Sequence, residues 1–177
     1  MDRIDVALLL LRVVLGGVMV VHGLNHAFGG GRLPGAARWF ESLGLRHGMV
    51  QAVMSAIVEV VAGASLILGF LTPFSSAAVI AVMLVAGVVA HRRNGFFVFK
   101  DGYEYVLVLA VVAAVVAIAG PGVASIDAAL GIVVAGGWGA LIAIGVGVVA
   151  VAGLLTATYR PRSEAQAESS DTARESA

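Results

Sequence analysis

Five apolar runs, each close to the length needed to cross a bilayer, leave this chain few ways to fold. They lie at Ile4–Phe28, about Met49–Leu71, Phe74–Ala90, about Tyr103–Ala119 and within Ala128–Leu155. A helix needs about 20 apolar residues to span the hydrocarbon core, where its backbone groups find no water and must bond to one another. The third and fourth runs are on the short side. Composition agrees, since 60% of residues are hydrophobic and 12% charged, against roughly 25% charged in a soluble domain. The expected fold is all-α, a polytopic membrane helical bundle. A four-helix core over 1–130 is followed by a fifth C-terminal transmembrane helix over 131–160 and a disordered polar tail over 161–177. The first run exceeds the roughly 7–15 residues of a signal-peptide core and no small-x-small site closes it, so it reads as a retained helix.

The joints carry the residues that end helices. "GGGRLPG" opens the first loop, "TP" at Thr72–Pro73 makes a turn so short that its flanking helices must be antiparallel neighbours, and "GPG" at 120–122 ends the fourth helix. Ser125 and Asp127 are good starters for the next helix, although residues 125–134 are expected at the surface. In the fifth run Trp138 and Tyr159 are separated by about 31 Å of helix, which puts an aromatic at each membrane interface. Gly139, Ala143 and Gly147 form a small-residue ridge suited to close helix contact.

Lysine and arginine fall on one face. Loop one carries Arg32, Arg38 and Arg46, loop three carries Arg92, Arg93 and Lys100, and Arg160 and Arg162 come after the last span; the opposite face has only Arg3. The positive-inside rule makes the basic face cytoplasmic, with the N-terminus outside and the C-terminus inside. The zero net charge speaks against a nucleic-acid partner. The chain has no cysteine, which excludes disulfide and thiolate chemistry within it.

Polar residues inside the apolar runs are the candidate functional residues. Arg12 and Glu59 would each cost about 2.5–3.5 kcal/mol at a helix centre, so they should face the bundle interior. Helix rise puts them about 6 Å apart in depth, within reach of a structural ion pair; the alternative is a proton-accepting or headgroup-binding carboxylate. On the first helix Arg12, Met19, His22, Gly23 and His26 share one arc, which must point inward. Histidines four apart can bind a metal, but no third ligand is evident and no metal is expected. His22, His26, His91, Asn94, Tyr103 and Glu104 should all fall near the basic face, as a ligand-binding or proton-relay group. The bland alternative for residues 91–106 is a basic loop flanked by interfacial aromatics. A faint echo, in which a helix ending in histidine leads through a basic loop to an acidic helix, suggests two similarly oriented hairpins around a shared centre.

"LRVVLGGVMVVHGLNHAFG", "EVVAGASLILGFLTPFSSAAV", "HRRNGFFVFKDGYEYVLVLAVVAAVV" and "GPGVASIDAAL" occur in that order. Together they resemble the DoxX family of small bacterial membrane proteins, over about Ile4–Leu130. The positions that carry the resemblance are Arg12, His22, Gly23, Glu59, His91, Asn94, Gly95, Gly102, Tyr103 and Glu104. The fifth apolar run, the polar tail and the lack of cysteine depart from the pattern. The resemblance implies a bacterial plasma membrane protein linked to redox or oxidative-stress systems, since relatives serve a thiosulfate:quinone oxidoreductase or associate with superoxide dismutase and a sulfurtransferase.

Three functions stay open at this point. The first is a membrane component that binds quinone or another lipid-soluble ligand in a polar intramembrane pocket, in contact with membrane lipid and a soluble oxidoreductase or sulfurtransferase partner. It would have no covalent cofactor or redox centre of its own, and self-association is compatible with it. The second is a non-catalytic scaffold or assembly factor. The third is a small-solute transporter.

Overall fold

The computed structural model describes residues 1–161; the polar tail, with Arg162, lies outside the described residues. Helices α1 (Arg3–Phe28), α3 (Gly48–Leu68), α4 (Thr72–Ala86), α5 (Glu104–Ala119) and α7 (Gly136–Thr158) form the bundle, and no strand occurs among the described residues. Two shorter helices, α2 (Arg32–Ser42) and α6 (Ile126–Ala129), lie in the loops. α4 continues through a widened π-type turn at Gly87–His91 and a tight 3-10 turn at Arg92–Asn94. With that extension, α1, α3, α4 and α7 are each long and apolar enough to cross a membrane, while α5 is a shorter apolar helix of 16 residues.

Close packing explains the order. On α1, a Cβ on Gly16 would run into the Gly63 carbonyl of α3, and one on Gly23 would meet the Ala56 carbonyl at 2.7 Å. Gly16 against Gly63, and Gly23 against Ala56, let two backbones touch where lipid offers no hydrophobic drive for association. The ridge on α7 acts similarly: Gly139, Ala143 and Gly147 are on its buried face, with Gly139 on the Ala117 carbonyl of α5 and Gly147 on Ala77 and Ile80 of α4. α7 is therefore a wall of the bundle. Leu15, Met19, Leu66, Val79, Ala113 and Val116 fill the centre.

The Gly16–Gly63 and Gly23–Ala56 contacts also set the antiparallel register of α1 and α3, and this corrects the expected Arg12–Glu59 pair. Glu59 is level with Val20, whereas Arg12 is level with Ile67, eight residues or about 12 Å away along the axis. Arg12 turns toward the opposite face. It is fully buried, and its Nη2 donates to the Ala124 carbonyl at 2.6 Å. Its Nη1 occupies the space where Gly69 (φ +62°) would carry a side chain, and the Asp127 carboxylate supplies an opposing charge.

Asp127 is buried within the protein, 1% exposed. Ser125 does start α6, its Oγ accepting from the Ala128 amide. Asp127 instead caps α4 from across the bundle, accepting from the Leu71 amide (2.7 Å), the Thr72 amide (2.9 Å) and the Thr72 hydroxyl (2.7 Å). A carboxylate at a helix N-terminus answers both the free amides and the helix dipole. Arg12, Gly69, Thr72 and Asp127 thus form a clasp that fastens α1, α4 and the α5–α7 connection at the opposite face.

At the basic face a short antiparallel bridge ties the end of α7 to loop one. Leu45 pairs with Tyr159, the Arg46 amide donates to the Thr158 carbonyl (2.9 Å), and the Arg160 amide donates to the Gly44 carbonyl (2.8 Å).

Candidate functional site: an amphipathic cavity beneath the basic face

α3 and α7 scarcely pack on each other, and a cavity of about 560 Å³ lies between them against α4. Such a volume is in the range of small-molecule sites. Its α4 wall runs from Phe74 to Val89 through Ala77, Ala78, Ala81, Val82, Val85 and Ala86, about 22 Å of helix. Val146, Ala150, Val151 and Leu154 of α7 and Met54 and Val58 of α3 complete the apolar part. Small and branched side chains along this length leave a channel.

The polar lining gathers at the basic end: His22, His26, Gln51, Ser55, Glu59, His91 and Tyr105. Glu59 is 2% exposed. Its Oε1 accepts from the Ser55 hydroxyl one turn earlier, and His26 Nε2 lies 3.6 Å from the same oxygen. Oε2 has no partner among the described residues. Gly23 lets α1 come this close, because a Cβ there would lie 3.0 Å from that of Glu59. The His26 ring is held by Phe40 (centroids 5.6 Å apart) and Trp39 (6.4 Å) of α2, and the His22 ring stacks on Tyr105 at 6.2 Å.

His91 reaches the cavity from the π-type turn. Val89 and His91 both line it, although a regular helix would point residues two apart in nearly opposite directions. Its Nδ1 donates to the Asp101 carbonyl at 2.7 Å; a carbonyl can only accept, so that nitrogen carries the hydrogen.

The rest of the 91–104 segment folds on itself. Asn94 Nδ2 donates to the Asp101 carbonyl (3.2 Å), and Glu104 Oε2 accepts from the Val98 amide (3.0 Å). The Tyr103 amide donates to the Gly95 carbonyl, and a Cβ on Gly102 would collide with the Gly95 and Phe96 carbonyls. Asn94, Tyr103 and Glu104 are not among the residues lining the cavity. Of the residues singled out from the sequence, His22, His26, Glu59 and His91 converge; Arg12 belongs to the opposite clasp.

Gln51, Ser55 and Tyr105 complete the polar end. Gln51 and Ser55 could have been found by spacing, since they stand two turns and one turn before Glu59 on the same face of α3. The α2 helix could have been found by its pattern, with Ala37 and Phe40 buried and Arg32, Arg38 and Glu41 among its polar residues. Among the described residues no three His, Asp or Glu side chains converge closely enough to hold a metal ion.

No curated protein and no solved structure was found to match the chain. The family model described as DoxX matches residues 7–92, from α1 into the last turn of the extended α4. Those residues, just under half of the chain, include Arg12, the glycines of the α1–α3 seam, and six of the cavity's seven polar side chains, all but Tyr105, and over that region the match supports DoxX family membership.

Proposed function

We propose that the protein is an integral membrane component of a redox or oxidative-stress system that holds a quinone-type amphiphile in the cavity beneath its basic face. The observation that carries this reading is the separation of polarity within one cavity. Hydrogen-bonding side chains occupy the end at His26, Glu59 and His91, and an apolar channel extends from there toward Phe74. A polar head with a long apolar tail matches that division, and a ligand dissolved in the bilayer can enter through the α3–α7 seam. The basic face is cytoplasmic on the lysine and arginine bias, so the head lies on the side where soluble partners work.

Titration of the full chain in nanodiscs with decyl-ubiquinone and its reduced form, monitored by quenching of Trp39 fluorescence, tests the reading. Saturable binding of at least one form is the expected result. Ala78→Phe, which fills the channel without touching the polar end, should lower affinity by at least about tenfold at unchanged thermal stability, on the order of losing one well-packed apolar contact. Absence of saturable binding to the folded protein would overturn it.

A docking role at the same face has its own support. Arg92, Arg93 and Lys100 are exposed around the exposed rings of Phe96, Phe97 and Phe99. This surface suits an acidic soluble oxidoreductase or sulfurtransferase. Arg92→Ala with Arg93→Ala should lose such a partner in co-purification and leave ligand binding intact.

A further inference from the structure

We propose that the cavity selects a head group that donates hydrogen bonds, of the hydroquinone class, over the oxidised quinone, which can only accept. This rests on reading the cavity as a ligand site; the form it prefers comes from a separate accounting of donors and acceptors. The Ser55 hydroxyl is committed to Glu59 Oε1, and His26 faces that same oxygen. Glu59 Oε1 thus accepts from a hydroxyl beside the His26 ring, and its buried Oε2, free among the described residues, is a further acceptor of the ionised carboxylate.

The other histidines add acceptors. His22 Nδ1 donates to the Val18 carbonyl at 3.0 Å, as His91 Nδ1 does to the Asp101 carbonyl. With the hydrogen on Nδ1, the Nε2 of each neutral ring is an acceptor. Gln51 spends one amide hydrogen on the Arg46 carbonyl at 3.4 Å, which leaves its carbonyl oxygen as an acceptor and its second amide hydrogen as a donor. Against these stand the Tyr105 hydroxyl, which can act either way, and the Trp39 indole N–H at the rim, on a residue 45% exposed.

A hydroquinone O–H placed on Glu59 makes a charge-assisted hydrogen bond. A quinone carbonyl at the same place sets acceptor against acceptor and leaves Oε2 buried without a bond. Sites built to pair with a donor reject analogues that lack it.

The experiment compares decyl-ubiquinol, under anaerobic conditions, with decyl-ubiquinone on the full chain in nanodiscs. The expected result is at least about tenfold tighter binding of the reduced form, the scale of one hydrogen bond to a charged group. The bound couple should then have its midpoint raised by about 30 mV for each tenfold preference, a measurement that needs no variant. In Glu59→Gln, whose amide offers both a donor and an acceptor, the preference should fall to within about threefold while the apolar tail still binds.

Equal binding of the two forms, tighter binding of the quinone, or a preference unchanged in Glu59→Gln would each overturn the selectivity and leave the ligand cavity standing. Tighter binding of decylammonium than of the hydroquinone would overturn the assignment to a hydroquinone head. Absence of binding by every probe would overturn the cavity reading and this inference together.

Discussion

His26 on α1 and Glu59 on α3 meet across the closest seam of the bundle, Nε2 to Oε1 at 3.6 Å, with the glutamate side chain 3% exposed and the histidine 21%. Removing one member of a buried pair leaves the other without its compensation. Because His26 is partly exposed, the effect is smaller than for a fully buried pair. His26→Ala should destabilise the protein by about 1–2 kcal/mol, with Glu59→Gln costing less because the Ser55 hydroxyl keeps an acceptor. Combined, the two should cost less than their sum by at least about 0.5 kcal/mol, since the residues are coupled. Reversible unfolding in mixed micelles checks this; strict additivity would mean that the two side chains do not interact.

The clasp at the opposite face should matter for stability and not for the ligand. Asp127→Ala removes the acceptor of three hydrogen bonds, leaves the α4 N-terminus uncapped, and takes the opposing charge from Arg12. A loss of roughly 2–4 kcal/mol is expected, with the Kd of the cavity ligand within about twofold of wild type in preparations that remain folded. A large change in Kd would show the two ends to be coupled.

Two adjacent glycines should behave oppositely. A Cβ on Gly16 would meet the Gly63 carbonyl and Ile67, whereas one on Gly17 meets nothing within 4 Å. Gly16→Ala forces α1 and α3 apart and should cost about 1–3 kcal/mol. Gly17→Ala should be neutral, or stabilising by up to about 1 kcal/mol from helix propensity. Thermal denaturation of the two variants side by side decides it, and equal effects would mean that α1 and α3 do not pack through Gly16.

The absence of cysteine makes topology easy to probe. Single cysteines at Ser42 and Arg93 should react with an impermeant maleimide only from the cytoplasmic side. One at Leu130 should react only from the outside, in keeping with the basic bias of the loops. Labelling of Leu130 and Arg93 from the same side would contradict five crossings.

Several parts of the protein were legible in the chain itself. Each span is a local property, about 20 predominantly apolar residues, and each turn carries its own glycine or proline, so the number and rough limits of the bundle helices needed no knowledge of neighbours. The ridge on α7 was likewise readable, because residues four apart on a helix share a face wherever the helix goes. The need for Arg12 and Glu59 to face inward was readable too, since a charge in hydrocarbon costs the same whatever its eventual partner.

Partners were decided only by the tertiary structure. Depth counted from the helix ends put Arg12 beside Glu59; the Gly16–Gly63 and Gly23–Ala56 contacts set a register that separates them by two turns. Asp127 looked like a local helix starter and became the cap of a helix more than fifty residues earlier. In the 91–104 segment, His91 enters the cavity because the helix widens there, while Asn94, Tyr103 and Glu104 are taken up by their own loop. Hydropathy is a sum over neighbours in sequence, whereas a site is a matter of which helix faces meet and at what height. Those two quantities depend on the closest approach of backbones, and here glycines on different helices decide it.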